Sequence, residues 1–220
     1  MSILLIRHGE TAGNRDRVVQ RPDVPLSEQG LAQAERLAER LAGEPIGLVL
    51  SSDLARAEMT ARAIERRAGA PLELDPRLQE RNFGDLRGTP YSELSVDLFA
   101  PGYAPPAGES WERFHARVDR AWSFVAERAS RVEGLTAVVT HGLVCHSLCV
   151  RHLRLPPGAV AEAGPDGPLM RFGNTALTVI EKRAPWRVST LACTAHLETG
   201  TETGTATGAP GGAGKGAAPV

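Results

Sequence analysis

Short apolar runs that stop abruptly at glycine or polar residues alternate along this chain with longer stretches in which apolar side chains return every three or four positions. Ser2-Ile3-Leu4-Leu5-Ile6 is short, apolar and closed by Gly9, which predicts a buried central strand with Arg7 and His8 at its carboxyl end. After a polar loop through Pro25, Ser27-Glu28-Gln29-Gly30 offers a cap and an early acid. Leu31, Ala34, Leu37, Ala38 and Leu41 then follow at helical spacing. Gly47 to Leu50 reads as a second strand. Ser51-Ser52-Asp53 reads as a cap cluster for a helix carrying Ala55, Met59, Ala63 and Ile64, with Arg56 in its first turn. Leu72 to Leu74 makes a third strand.

The pattern then breaks. Residues 86–108 are rich in glycine and proline and predict a loop excursion, a candidate lid, with one short helix around Glu93–Phe99. Trp111, Phe114, Val118, Trp122 and Val125 restore the helical period and predict an amphipathic helix over 110–129. Thr136 to Thr140 is a further strand, followed by a helix from Gly142 through Leu153. Asn174-Thr175 precedes the strand Ala176 to Ile180, and Trp186 to Leu191 gives the last. This alternation predicts one domain over 1–193, a three-layer α/β/α sandwich with a mostly parallel central sheet. From Thr194 to 220 the chain is almost entirely Thr, Gly, Ala, Glu and Pro, too little apolar surface to order itself, and is expected to be an unstructured tail.

Composition narrows the function classes. With 220 residues and 42% apolar content the chain can bury one substantial core. Its 25 basic and 26 acidic side chains leave a formal charge of -1, so no overall field attracts nucleic acid or an anionic membrane. The first apolar run is far shorter than a secretory core or a membrane span, and a cytoplasmic protein is expected. Cys145, Cys149 and Cys193 form no CxxC pair, and Cys145 and Cys149, four apart on a predicted helix, favour packing over a redox pair.

What remains is a set of polar residues at successive strand ends. Arg7-His8-Gly9-Glu10-Thr11 closes the first strand, and His141-Gly142 closes the strand 136–140. A neutral imidazole at His8 can attack phosphorus if its other ring nitrogen is held as a donor, and backbone just after the strand is a suitable acceptor. Arg7 and Arg56 present planar donor forks for phosphate oxygens, and His141 adds a further donor. The free amides that begin the helices after Ser52 and at Gly142 add the favourable end of a helix dipole, and Asn14 a neutral donor. Glu80, in the loop before the excursion, can donate a proton to a departing alkoxide and then activate water. Arg81, Arg87 and Tyr91 are candidates for contacts with the rest of a substrate. Each residue alone is ordinary for a loop or a core; the combination points to phosphoryl transfer.

The same residues resemble the histidine phosphatase superfamily, in the branch named for cofactor-dependent phosphoglycerate mutases. The resemblance rests on Leu5-Ile6-Arg7-His8-Gly9-Glu10-Thr11, Asn14 with Pro25-Leu26-Ser27-Glu28-Gln29-Gly30, Ser51 through Ala57, Leu78-Gln79-Glu80 with Phe83-Gly84, Gly108-Glu109-Ser110, Thr140-His141-Gly142 and Asn174-Thr175, and spans residues 2 to about 191. It implies a phosphoglycerate mutase-like fold, His8 as the phosphorylated nucleophile, Arg7, Arg56 and His141 as phosphate ligands, Glu80 as proton donor, and no metal or cofactor. The chain departs from similar proteins at His146, where they commonly carry arginine, and at Val18-Val19-Gln20-Arg21, which lacks a glycine often found there. The excursion is shorter than the cover in similar glycolytic mutases, which favours hydrolysis. The expected function is therefore a phosphatase acting on small phosphorylated metabolites, as monomer or homodimer. A phosphoglycerate-type mutase is the alternative, and a non-catalytic phosphate-binding protein the third.

Overall fold

All six apolar runs expected to be strands enter one sheet, whose register decides where the polar residues after each strand meet. The computed structural model describes residues 2–157, 159 and 169–198. In chain order the elements are β1 (Ser2–Arg7), α1 (Ala12–Arg15), α2 (Glu28–Arg40), β2 (Ile46–Ser51), α3 (Ala55–Ala68), β3 (Leu72–Leu74), α4 (Trp111–Arg131), β4 (Leu135–Thr140), α5 (Gly142–Arg151), β5 (Leu177–Glu181) and β6 (Val188–Cys193). The sheet order is β3-β2-β4-β1-β5-β6. The first four of these strands run parallel; β5 is antiparallel to β1, and β6 to β5.

The strands read as continuous apolar runs because both faces of the sheet are covered. On β1, Ile3 and Leu5 pack with Phe114, Val118 and Trp122 of α4 and Val144 and Leu148 of α5. Leu4 and Ile6 face the other way, onto Leu37 of α2 and Ala57 and Ile64 of α3. The result is an α/β/α layered sandwich with a mixed central sheet. Each fully buried aliphatic side chain stabilises it by roughly 1.5–3 kcal/mol. Cys145 and Cys149 belong to the α4/α5 layer as packing groups. No helix among the described residues is long and apolar enough to cross a membrane.

Several local expectations need correction. No helix forms around Glu93–Phe99; one 3₁₀ turn spans Tyr91–Glu93. The carbonyl of Leu98 accepts from Arg81 at 2.9 Å, and the Asp97 carboxylate turns the chain by accepting from the Phe99 amide at 2.9 Å, so local bonds replace a helical ladder. The expected cap cluster before α3 is not one. Ser51 ends β2, Asp53 accepts from Gln79 at 2.7 Å, and the N-cap is Leu54 with no side-chain cap bond. The last strand begins at Val188 because Trp186 takes a left-handed φ of 48°. Ala195–Leu197 form a 3₁₀ turn within the stretch expected to be unstructured, and His196 Nε2 lies 2.9 Å from Thr175 Oγ1. The remainder of that stretch, from 199 on, lies outside the described residues.

Candidate active site

Parallel pairing of β1 with β4 sets Arg7 opposite Thr140, so the residues that follow, His8 and His141, leave the sheet side by side. Their ring centroids are 5.1 Å apart at 58°. β5 contributes from the opposite direction: Ile6 pairs with Leu177, which brings Asn174 and Thr175 back to the same end of β1. The His8 carbonyl accepts from the Thr175 amide and from Asn174 Nδ2, each at 3.2 Å, and the His8 amide donates to the Thr140 carbonyl at 2.9 Å.

The His8 ring is fixed by its own loop. Nδ1 lies 2.7 Å from the Gly9 carbonyl oxygen, which makes Nδ1 the donor and leaves the lone pair on Nε2. Gly9 can turn that carbonyl back only because it packs backbone to backbone against the first turn of α2. A Cβ at Gly9 would meet the Gly30 carbonyl oxygen at 2.6 Å, and one at Gly30 would meet that of Glu10 at 2.0 Å. Burial, followed by the charges of Arg56 and Arg7, holds the His8 imidazole well below its ordinary pKa, and it is neutral at pH 7.

His141 is also buried and neutral for the same reasons, burial first and the Arg56 charge next. Its Nε2 lies 2.9 Å from Ser52 Oγ. If the hydroxyl donates there, the proton sits on Nδ1, and Nδ1 has no partner among the described residues. Arg7 donates through Nη1 to the Phe172 carbonyl, and Arg56 through Nη1 to the Arg21 carbonyl at 3.1 Å. The Nε of each is buried and likewise unpartnered among the described residues. Burial lowers the Arg56 guanidinium to about 10, with the Arg7 and Arg87 charges acting in the same direction and Glu80 opposing them. Three buried donors, two of them on cations, thus stand around one imidazole.

Glu80 faces this group. Its Oε2 accepts from the Leu143 amide at 3.1 Å, in the first turn of α5, and its Oε1 from the Arg81 amide at 3.0 Å. Burial pushes the carboxyl above its usual range, against those two amides and the charges of Arg56 and Arg7. Gly142 lies beside both groups: a Cβ there would be in ordinary contact, 3.8 Å from Arg7 Nε and 4.0 Å from Glu80 Oε2.

Arg7, His8, Asn14, Arg56, Glu80, Arg81, Tyr91 and Gly142 all line one cavity of about 660 Å³, with His141 packed against the His8 ring behind it. The roles open to them differ. The Arg81 guanidinium turns into the excursion, donating to Glu109, Leu98 and Tyr103 carbonyls at 3.1, 2.9 and 2.6 Å and lying 4.0 Å over the Trp111 ring. It ties down the loop and is poorly placed to be a substrate ligand, contrary to expectation. Asn14 Oδ1 is occupied by the Thr11 amide and Asn174 Nδ2.

Some participants escaped the sequence reading. Ser52 was named in the cap cluster and in the resemblance but given no role toward His141, Gln20 entered only as part of a departure from similar proteins, and Arg171 and Phe172 at the cavity wall carried no motif. Arg117 of α4 drew no reading from the sequence. It lies behind Glu80, donating to the Arg77, Gln79 and Glu80 carbonyls at 2.9, 2.7 and 3.2 Å while pairing with Glu109 at 2.7 Å. Among the described residues no group of three or more His, Cys, Asp or Glu side chains is arranged to hold a metal ion.

A sheet covered on both faces, with histidines and arginines gathered at the carboxyl ends of its central strands, defines an α/β protein with a cavity rich in buried donors. The chain belongs to the histidine phosphatase superfamily, branch 1, whose family model matches residues 3–189. It is 30% identical over 214 residues to the probable phosphoglycerate mutase GpmB of Yersinia pestis, covering 90% of this chain and 95% of that one. Among solved structures, Bacillus stearothermophilus YhfR superposes with a TM-score of 0.74 at 29% identity, covering 90% and 99% of the two chains. A mycobacterial glucosyl-3-phosphoglycerate phosphatase does so with 0.72 at 27% identity, covering 86% and 97%. Family and fold are those of histidine-phosphatase-type hydrolases.

Proposed function

We propose that this protein is a phosphatase that hydrolyses small-molecule phosphate monoesters through a phosphohistidine on His8. The observation that carries the reading is the set of unpartnered buried donors, Arg7 Nε, Arg56 Nε and His141 Nδ1, around an imidazole whose Nδ1 is engaged by the Gly9 carbonyl. Buried donors without partners cost about 1–3 kcal/mol each, and a phosphoryl group would relieve that cost. Charge on its nonbridging oxygens is met by Arg7 and Arg56, so the chemistry asks for no metal.

In the first step His8 Nε2 attacks phosphorus while the ester P–O bond breaks, and Glu80 gives its proton to the departing oxygen. The raised carboxyl pKa favours the protonated form this step requires. In the second step the Glu80 carboxylate takes a proton from water, the resulting oxygen attacks phosphorus, and the P–N bond breaks to return a neutral His8 and inorganic phosphate. The mycobacterial relative is described in complex with VO3, an anion that can occupy a phosphoryl site, and inhibition by vanadate is expected here.

The similarity to a probable phosphoglycerate mutase supports the mutase as a second reading. Both readings require an acid-labile phosphoryl group on the wild-type chain during turnover and none on His8→Ala. A phosphate-binding protein without activity would show neither that label nor phosphate release. Net inorganic phosphate release from simple esters favours the phosphatase; isomerisation of phosphoglycerate without such release would replace it with the mutase.

A further inference from the structure

Ser52 stands immediately after β2, where the sheet holds it still: its amide donates to the Val139 carbonyl of β4 at 3.0 Å, continuing the pairing of Ser51 with Val139. Its side chain is fully buried. Among the described residues its hydroxyl has two neighbours, the Leu54 amide at 3.2 Å and His141 Nε2 at 2.9 Å. The Leu54 amide can only donate, and it takes one lone pair of Ser52 Oγ. The imidazole nitrogen is donor or acceptor according to where the ring carries its proton. Burial and the neighbouring arginines keep the His141 ring neutral, so there is one ring proton to place.

Counting donors decides between the two tautomers. With the proton on Nε2, both neighbours would donate to Ser52 Oγ. The single hydroxyl hydrogen would then be buried with no acceptor among the described residues, and His141 Nδ1 would be a buried acceptor without a donor. With the proton on Nδ1, the hydroxyl accepts from Leu54 and donates to Nε2. The one group left over is the Nδ1 hydrogen, on the ring packed against His8. Buried polar groups left unpaired are the costly outcome, so the second arrangement is favoured. It also suits an anion, because a hydrogen on Nδ1 attracts a phosphoryl oxygen and a lone pair there repels it.

We propose that Ser52 is a positioning residue: its hydroxyl holds the His141 ring in the tautomer with the proton on Nδ1, and so makes His141 a neutral hydrogen-bond donor to the phosphoryl group. The consequence for turnover rests on the phosphatase reading above, whereas the position of the proton does not. In Ser52→Ala the ring loses its hydrogen-bond partner among the described residues, and with it the preference for one nitrogen.

The test reads the tautomer directly, in the full-length chain carrying isotope-labelled histidine, from long-range proton-nitrogen correlations of the ring. The His141 signals are assigned by their loss in His141→Gln. Wild type is expected to show a protonated Nδ1 and a bare Nε2, both before and after addition of inorganic phosphate. Ser52→Ala should show the proton shared between the nitrogens or moved to Nε2. Its Kd for phosphate should rise about 10–100-fold and kcat/KM fall on the same scale, that of removing the outer partner of a ligating histidine. A wild-type ring with its proton on Nε2, or with both nitrogens protonated when phosphate is bound, would overturn the proposal, and that measurement requires no Ser52 variant to fold. So would an unchanged tautomer in Ser52→Ala, even with weaker phosphate binding, since the serine would then serve packing alone. If wild type released phosphate from no ester, the phosphatase reading would fall, while the tautomer and the phosphate Kd would still decide what Ser52 does.

Discussion

Two pairs of arginines in and behind the cavity wall differ in what their nitrogens touch. Behind Glu80, Arg117 pairs with both oxygens of Glu109 and also donates to three backbone carbonyls. Arg81 donates to three carbonyls and stacks on Trp111. At the strand ends Arg7 and Arg56 each hold one carbonyl and keep a buried Nε without a partner among the described residues. The first pair is architecture: its donors join the excursion, the Glu80 loop and α4 into one wall. The second pair is held around one cavity with Glu80 as its nearby acid, and a bound anion would take up the donors that Glu80 does not reach. Burial alone therefore does not separate the two pairs; donors left over after folding do.

Breaking the architectural pair should have the largest effect on stability. Arg117→Met leaves the Glu109 carboxylate, 14% exposed, without its cation and leaves three carbonyls uncapped. Removing one partner of such a buried pair costs roughly 3–5 kcal/mol, read as a lower urea midpoint at unchanged slope. Glu109→Gln, which keeps an acceptor for the guanidinium, should lose less. If Arg117→Met unfolds at the wild-type midpoint, the wall is not the support described here.

The strand-end pair should respond in the opposite sense. Arg56→Met is expected to lower kcat/KM by about 10²–10³-fold, the scale of losing one oriented charge donor, while changing the urea midpoint little because the cost of burying the cation and its repulsion with Arg7 and Arg87 are removed along with its attraction to Glu80. Arg81→Met should do the reverse, losing stability with a smaller change in kcat/KM. Were Arg81→Met to abolish phosphate binding as Arg56→Met does, the distinction between the two pairs would fail.

A smaller effect follows from binding alone. Inorganic phosphate at 100 times its Kd should stabilise the folded chain by about 2.7 kcal/mol, seen as a rise in Tm that disappears in Arg56→Met and persists in Arg81→Met. A wild-type Tm indifferent to phosphate and vanadate would remove the anion site.

The sequence made this sheet legible because the covered strands lack polar interruptions: Leu4-Leu5-Ile6 and Ala137-Val138-Val139 have both faces buried, and α4 repeats its apolar residues over a long helix. His8 and His141 were legible as a pair because each follows such a strand, and parallel register brings strand ends level. The difference between Arg56 and Arg81 was not. A guanidinium's partners here are carbonyls of residues such as Leu98 and Tyr103, whose proximity is set by the path of an irregular loop and leaves no spacing to read. The same loop defeated the short helix expected around Glu93–Phe99, where side-chain bonds with backbone took the place of a helical ladder. Ser52 was hidden differently, since serine after a strand reads equally as a cap or as a partner for a distant imidazole.

The smallest predicted effect separates the two regions through protons. His8 and His141 are neutral in the fold because burial and the neighbouring arginines depress them, whereas in the unfolded chain each titrates near its ordinary value of about 6.5. Below that pH the unfolded state takes up protons that the folded state refuses, so stability present above about 6.5 is lost as pH falls, by up to ~1.4 kcal/mol per pH unit for each histidine. Glu80 acts in the other direction, since its raised carboxyl pKa adds stability that fades as pH rises through the folded value. His115, His146 and His196, also depressed by burial, add to the histidine slope, so the test is a difference between variants. Between pH 7.5 and 5.5 the urea-derived stability of His8→Asn should fall less than that of wild type, whereas Arg117→Lys should retain the wild-type slope from a lower starting value. Equal slopes for His8→Asn and wild type would mean that the folded His8 ring accepts a proton over this range, and an imidazole protonated there has no lone pair with which to attack phosphorus.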